Sequence, residues 1–235
     1  MEPVLSTDLP RALLAALLCA AAGTATATAA GGAGLKLGYA HIGFNTRSAD
    51  LSGPAGTTPP GVQASIEDTR TLALVADVPL SDQWGIVLQL GTPPVVRFNG
   101  AGAGAALGEV GSARAWFPAL LARWQPAPWG RLQPYAAVGL NYTFFTDKRI
   151  TDAYTAAFGG SASRSSLKKS HGPVLKIGAE WQLDPHWAVD LAYARYGIRT
   201  TATITTTTLG LGDVVRTVDV KADPDVLSLM LGYRF

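Results

Sequence analysis

Large apolar residues recur at every second position through much of this chain, and polar or small residues fill the places between them. The last nine residues, "LSLMLGYRF", show the pattern most clearly. If the stretch is extended, Leu227, Leu229, Leu231, Tyr233 and Phe235 project one way and Ser228, Met230, Gly232 and Arg234 the other. In "LQPYAAVGLNYTFF" the row Leu132, Pro134, Ala136, Val138, Leu140, Tyr142 and Phe144 opposes Tyr135, Ala137, Gly139, Asn141 and Thr143. In "VLKIGAEWQL" Leu175, Ile177, Ala179, Trp181 and Leu183 oppose Lys176, Gly178, Glu180 and Gln182, and "WAVDLAYARY" divides the same way. Eight such segments are predicted, over 34–45, 69–80, 84–97, 112–125, 132–147, 167–183, 187–203 and 217–235.

The pieces between them alternate in length. "SDQ", "PAPWGR" and "DPH" are short, whereas "TRSADLSGPAGTTPPGV", "NGAGAGAALGEVG", "KRITDAYTAAFGGSASRSS" and "TITTTTLGLGD" are long. This order puts all short connections at one end and all long ones at the other. Together with an even strand count and apolar rows ending in aromatic rings, it predicts an all-β fold. That fold is an eight-stranded antiparallel transmembrane β-barrel with short periplasmic turns and longer extracellular loops, in a bacterial outer membrane. Strands in hydrocarbon cannot leave edges unpaired, so the last segment is expected to pair with the first. A soluble barrel or sandwich would instead bury the apolar rows in a core; the loop asymmetry and aromatic ends favour lipid.

The N-terminus fits export. After Arg11, "ALLAALLCAAAGTATATAA" is an apolar run followed by small residues in A-x-A arrangement. It reads as a cleaved signal peptide over residues 1–29, leaving 30–235 as one barrel domain. Cys19, the single cysteine, falls inside this leader, so the exported chain is expected to have no disulfide, thiolate nucleophile or cysteine-bound metal. Charge is nearly balanced, 19 basic residues against 17 acidic, which argues against a nucleic-acid partner.

Chemistry is sparse. His41, His171 and His186 lie on different segments, no G-x-S-x-G or paired-His spacing occurs, and Gly102 and Gly104 sit in a loop rather than between a strand and a helix. No enzyme activity, metal or cofactor is expected. The inward rows instead predict two zones. Near the short turns, Asp77, Arg123, Glu180, Asp190 and Arg234 form a mixed-sign set, expected to pair into a plug. Above them, Ile42, Val75, Phe117, Leu121 and Tyr135 are expected either to line a small apolar pocket or simply to fill the barrel.

The stretches "QPYAAVGLNYTFF", "ADPDVLSLMLGYRF" and "TLALVADVPLSDQWGIVLQLGTPP" resemble the OmpW family of small outer-membrane proteins, over roughly residues 32–235. The resemblance implies a barrel taller than the bilayer, with a narrow, largely apolar channel for small hydrophobic or amphipathic molecules that can leave sideways into lipid. Pro93, Pro94 and Pro118 suit such an exit, because each removes a ladder donor, but they equally suit bulges at strand ends with no part in transport. Tyr233 and terminal Phe235 match the signal read by the outer-membrane assembly machinery. Two positions depart from the family pattern: Gln89 and His171 stand where apolar or aromatic channel residues are expected, so a more polar, pH-sensitive constriction follows. The competing expectation is a non-transporting barrel acting as adhesin or phage receptor through its outer loops.

Overall fold

Residues 32–235 are described by a computed structural model, and the signal-peptide expectation over 1–29 lies outside them. The strands in chain order are β1 (Gly34–Gly43), β2 (Arg47–Ser48), β3 (Val62–Ile66), β4 (Thr69–Pro79), β5 (Trp84–Gly91), β6 (Val95–Gly102), β7 (Glu109–Trp116) and β8 (Ala119–Trp124). They continue with β9 (Leu132–Ile150), β10 (Gly160–Leu167), β11 (Ser170–Gln182), β12 (Trp187–Tyr196), β13 (Arg199–Thr208), β14 (Gly212–Lys221) and β15 (Asp225–Arg234). A short helix, α1 (Asp152–Ala157), separates β9 from β10.

Eight of these strands close on one another. The ladder runs β1–β4–β5–β8–β9–β11–β12–β15 and returns to β1, every pair antiparallel. The seam expected from the C-terminal pattern is real: Gly34 stands opposite Arg234 and Gly43 opposite Asp225. The Phe235 N–H also donates to the Ala33 carbonyl at 3.0 Å. Closure satisfies every wall strand on both edges, as a hydrocarbon surround demands.

The period-2 rows face as their pattern predicts. On β15 Leu229 is 57% exposed while its neighbour Met230 is 2% exposed; on β11 Ile177 is 62% exposed and Val174 fully buried. An apolar outside over a mixed inside inverts the arrangement of a water-soluble barrel. Trp84 pairs with Trp124, and Trp187 with Tyr233, so indole and phenol rings gather at the short-turn end. Tyr39, Tyr142 and Tyr193 occupy the opposite border of the apolar band. The turn Asp184–His186 is locked by the Asp184 carboxylate, which accepts from the His186 and Trp187 backbone N–H groups at 2.8 Å each. Those two bonds hold the carboxyl below its usual range.

The long connections are not loops, as the chain pattern had suggested, but largely strands. At about 3.3 Å per residue, the 19 residues of β9 reach about 60 Å, far beyond the bilayer. The threonine-rich run is mostly β13, paired residue for residue with β14 from Arg199–Lys221 to Thr208–Gly212. Threonine's branched Cβ suits a strand as well as its hydroxyl suits a loop. Only the tip turns, with Gly210 and Gly212 at positive φ. Above the barrel the wall divides into two sheets, β3–β6–β7–β9 and β10–β13–β14–β2.

Between barrel and extension the wall is interrupted at 92–94, 117–118, 197–198 and 222–224. Prolines 93, 94, 118 and 224 fall in these breaks, where a missing N–H is tolerated. Asp223 takes a positive φ of 35° and its carboxylate accepts from the Ile198 N–H at 3.3 Å, bending β14 away from β15.

An arginine on the lipid face tests the inside-out assignment. Leu229→Arg is expected to lower folding stability in lipid vesicles by about 2–4 kcal/mol, measured by denaturant titration. Leu209→Arg at the exposed hairpin tip should change it by less than about 0.5 kcal/mol.

Candidate functional site

Inward positions of the barrel sort into a charged layer below and an apolar layer above. The charged layer is built across the bore, by inward residues of β1, β4, β8, β11, β12 and β15. Lys36 on β1 reaches Glu180 at 2.6 Å, Asp190 at 3.0 Å and Asp77 at 3.6 Å. Arg123 on β8 pairs with Asp77 and, at 2.6 Å, with Glu180, and it donates to Gln125. Arg234 reaches the second Glu180 oxygen at 3.3 Å. All five predicted plug residues therefore meet in one network, with Glu180 shared by three cations.

Two members were absent from the predicted set. Lys36 is the hub, and Lys176 donates to Gln89 at 3.3 Å. Both alternate with lipid-facing leucine or isoleucine, so parity alone points them inward. Tyr135 belongs to this layer rather than to the apolar pocket expected for it. Its hydroxyl donates to Asp190 at 2.9 Å, and Arg123, Lys36 and Lys176 lie 4.6, 5.3 and 5.8 Å from its ring centre. An aromatic face amid three cations supplies attraction that three carboxylates alone do not. Gly178, opposite Tyr135, makes room for the ring: a Cβ there would stand 2.6 Å from the phenol.

Charges packed this way are costly unless every partner is present. The network fills the bore and leaves an open vestibule of about 220 Å³ on its short-turn side. Above it Val75, Val87, Leu121, Val174 and Met230 fill the barrel, so Val75 and Leu121 are packing residues beneath the pocket rather than its lining.

Ile42 and Phe117 do line an apolar cavity, together with Tyr196, Ile198, Pro224 and Val226. Its volume is about 30 Å³, room for one water-sized occupant and far below the roughly 300 Å³ of a small-molecule pocket. Phe117 and Tyr196 meet edge-to-face at 6.1 Å across it. Tyr196 is inward by the parity of "WAVDLAYARY", and its buried hydroxyl has no partner. Phe117, Ile198 and Pro224 sit at the wall breaks, so cavity and breaks share one level.

His171 corrects the pattern expected from the resemblance. It stands opposite Tyr142 on the outward row, exposed, in a groove with Arg195, Arg199 and Lys221. Its odd position beside Leu175 dictates this, and it does not touch the bore. Gln89 is inward, as expected, but belongs to the charged layer. His41 and His186 are also exposed, far apart in the ladder.

A second set, outside the eight predicted segments, lies at the long-loop end. Arg216 on β14 is 2% exposed, and its guanidinium lies 4.3 Å from the Phe158 ring. Tyr154 on α1 is buried beside it, its hydroxyl pushed up to about 12 by burial. Arg216 lies in a stretch whose threonine- and glycine-rich surroundings read as a loop, so no apolar alternation marks it.

A closed eight-stranded antiparallel barrel with an apolar exterior, aromatic borders and a sealed bore is an outer-membrane protein. Comparison with known proteins makes the class specific. The family model "OmpW family" matches residues 29–235, and the chain belongs to that family. It is 28% identical to Outer membrane protein W of Escherichia coli (strain K12) over 172 residues, 73% of this chain and 76% of that one. It is 27% identical to Outer membrane protein AlkL of Ectopseudomonas oleovorans, over 75% and 70%. The crystal structure of OprG from Pseudomonas aeruginosa superposes with a TM-score of 0.76 at 26% identity, covering 88% of this chain and 97% of that one. The protein is therefore a bacterial outer-membrane barrel set in lipid.

Removing the shared anion tests the plug. Glu180→Gln leaves Lys36, Arg123 and Arg234 short of a counter-charge and is expected to cost about 3–5 kcal/mol of stability, read by urea unfolding in vesicles. Glu180→Asp should recover part of it.

Proposed function

We propose that this chain is a passive route for small hydrophobic or amphipathic molecules through the outer leaflet, with sideways release into the membrane core. The observation that carries this reading is an apolar cavity level with a broken wall, above a packed apolar layer and the charged seal. A solute that reaches Ile42 and Phe117 finds its way down the bore closed by paired charges. Its way out through the wall is easier. Between the β5–β8 pair Gln89–Ala119 and the β6–β7 pair Val95–Arg114, the ladder is interrupted. There Pro93, Pro94 and Pro118 have no N–H to offer.

At 30 Å³ the cavity is the closed form of such a route. Passage requires Phe117 to swing from Tyr196, a side-chain motion that costs one edge-to-face contact of about 0.5–1.5 kcal/mol. The charged seal keeps water and ions from following. The step proposed is transfer alone, with no bond made or broken. The rings of Tyr233 and Phe235, 5.2 Å apart at the chain end, are the features offered to the assembly machinery.

Uptake of a hydrophobic fluorescent naphthylamine by intact cells measures the route, since an undisturbed outer leaflet excludes the dye. Expression of the wild-type barrel is expected to speed entry, and Phe117→Asp to slow it by about tenfold, with the heat-modifiable gel band showing that the variant still folds. Equal entry with and without the barrel would leave only the outer loops as its working surface.

A further inference from the structure

Basic side chains gather on the outer wall, just above the apolar band, and the proposed route uses none of them. His171 on β11, Arg195 on β12, Arg199 on β13 and Lys221 on β14 border a groove of about 490 Å³. Gly172 and Gly197 form part of its floor, so close together that a Cβ on Gly172 would clash with the Gly197 carbonyl. Backbone stands there in place of side chains, which makes the groove a fixed hollow in the wall.

The charges in it do not cancel. Lys221 pairs with Asp223 at 2.9 Å and Arg195 with Asp225 at 3.6 Å. Asp225 also accepts from the Tyr193 hydroxyl at 2.6 Å. Arg199 is exposed and has no carboxylate within 4 Å among the described residues. Lys168 and Lys169, in the link before β11, are exposed as well. Arg195 lies one outward step above Tyr193, a border ring of the apolar band, so the surplus cations stand where the wall leaves hydrocarbon.

A second hollow continues from this groove down the lipid face. It shares Arg195 and Leu175 with the first, measures about 500 Å³, and runs past Val138 and Ile177 towards Trp124. Ala122 and Ala136 make its floor, because they are small and their ladder partners Val138, Ile177 and Trp124 are large. Cations above and an apolar trough below, joined on the outer wall, match a molecule with a charged head and a long chain.

We propose that these joined hollows seat a phosphate-bearing lipid of the outer leaflet, its phosphate on Arg199, Lys221 and Arg195 and an acyl chain along Leu175 and Ile177. A phosphate monoester brings a charge of about −2 and several acceptor oxygens, which suit guanidinium and ammonium donors converging from three strands. Free phosphate would use the upper hollow alone; the trough assigns the ligand to the membrane. The site lies outside the bore and does not depend on the proposed route.

Native mass spectrometry of the folded barrel in detergent micelles measures the binding. The probes are dioleoyl phosphatidic acid, which ends in a phosphate monoester, and dioleoyl phosphatidylcholine, which has the same chains and no net charge. Phosphatidic acid is expected to bind at least about tenfold more tightly, and Arg199→Gln to weaken it about fivefold. Asp223→Asn removes a competing carboxylate, keeps an oxygen for the Ile198 N–H, and is expected to strengthen it. Arg164→Gln removes the same charge as Arg199→Gln from an exposed strand of the extension and should leave binding unchanged. Equal affinity for the two lipids, or equal losses in Arg199→Gln and Arg164→Gln, overturns the site. Displacement of phosphatidic acid by an about tenfold excess of glycerol 3-phosphate, the same head without chains, overturns the lipid as its occupant.

Discussion

Backbone polarity in hydrocarbon is the constraint from which the rest of this structure follows. Each unsatisfied N–H or C=O inside a bilayer costs several kcal/mol, so β15 must come back to β1, and it does so over ten consecutive residue pairs. Once the ring is closed, alternation does the sorting: one face of each strand meets lipid and the other meets seven neighbours across a narrow bore. Eight strands leave space that side chains can fill. What fills it decides what the barrel can pass.

The filling is layered, and the layers divide the labour. Lys36, Arg123, Arg234, Asp77, Glu180 and Asp190 neutralise one another, with Tyr135 wedged among the cations. Such a layer is favourable only when complete, which makes it a rigid seal rather than a tunable gate. The apolar layer above has no such obligation. Phe117 and Tyr196 hold each other by a single ring contact, next to wall positions that prolines have already deprived of donors. On the proposed route the layer held by charge stays shut, and the layer held by dispersion and interrupted ladders is the one that yields.

Beyond the bilayer the constraint relaxes, and the architecture changes with it. The wall splits into two sheets because water can satisfy strand edges that lipid cannot. Side chains then take over cohesion: Thr207 donates to Asp213, Thr201 to Asp219, and Arg164 pairs with Asp213. These exposed contacts are individually weak. Arg216 differs from them in being buried, its guanidinium held by Thr57, Thr58 and the face of Phe158.

The alternation of residues, read without any coordinates, was enough to settle the eight crossings, their facing and the direction of the charged rows. Those features depend only on a period of two and on the solvent on either side. Parity held for Lys176, and the same rule places Lys36 and Tyr196 inward, although neither is among the expected lumen residues. It placed His171 outside as well, against the expectation drawn from resemblance. Tertiary structure alone decided which inward groups touch. Tyr135 joins the charges because strand stagger brings it level with Asp190, and stagger is a property of the closed sheet, not of any one strand. It alone decided, too, that threonine-rich connections stand as strands, since β13 is held by β14 and not by its own composition. The side-chain cluster around Arg216 unites residues more than 150 positions apart, and no local pattern carries contacts of that range.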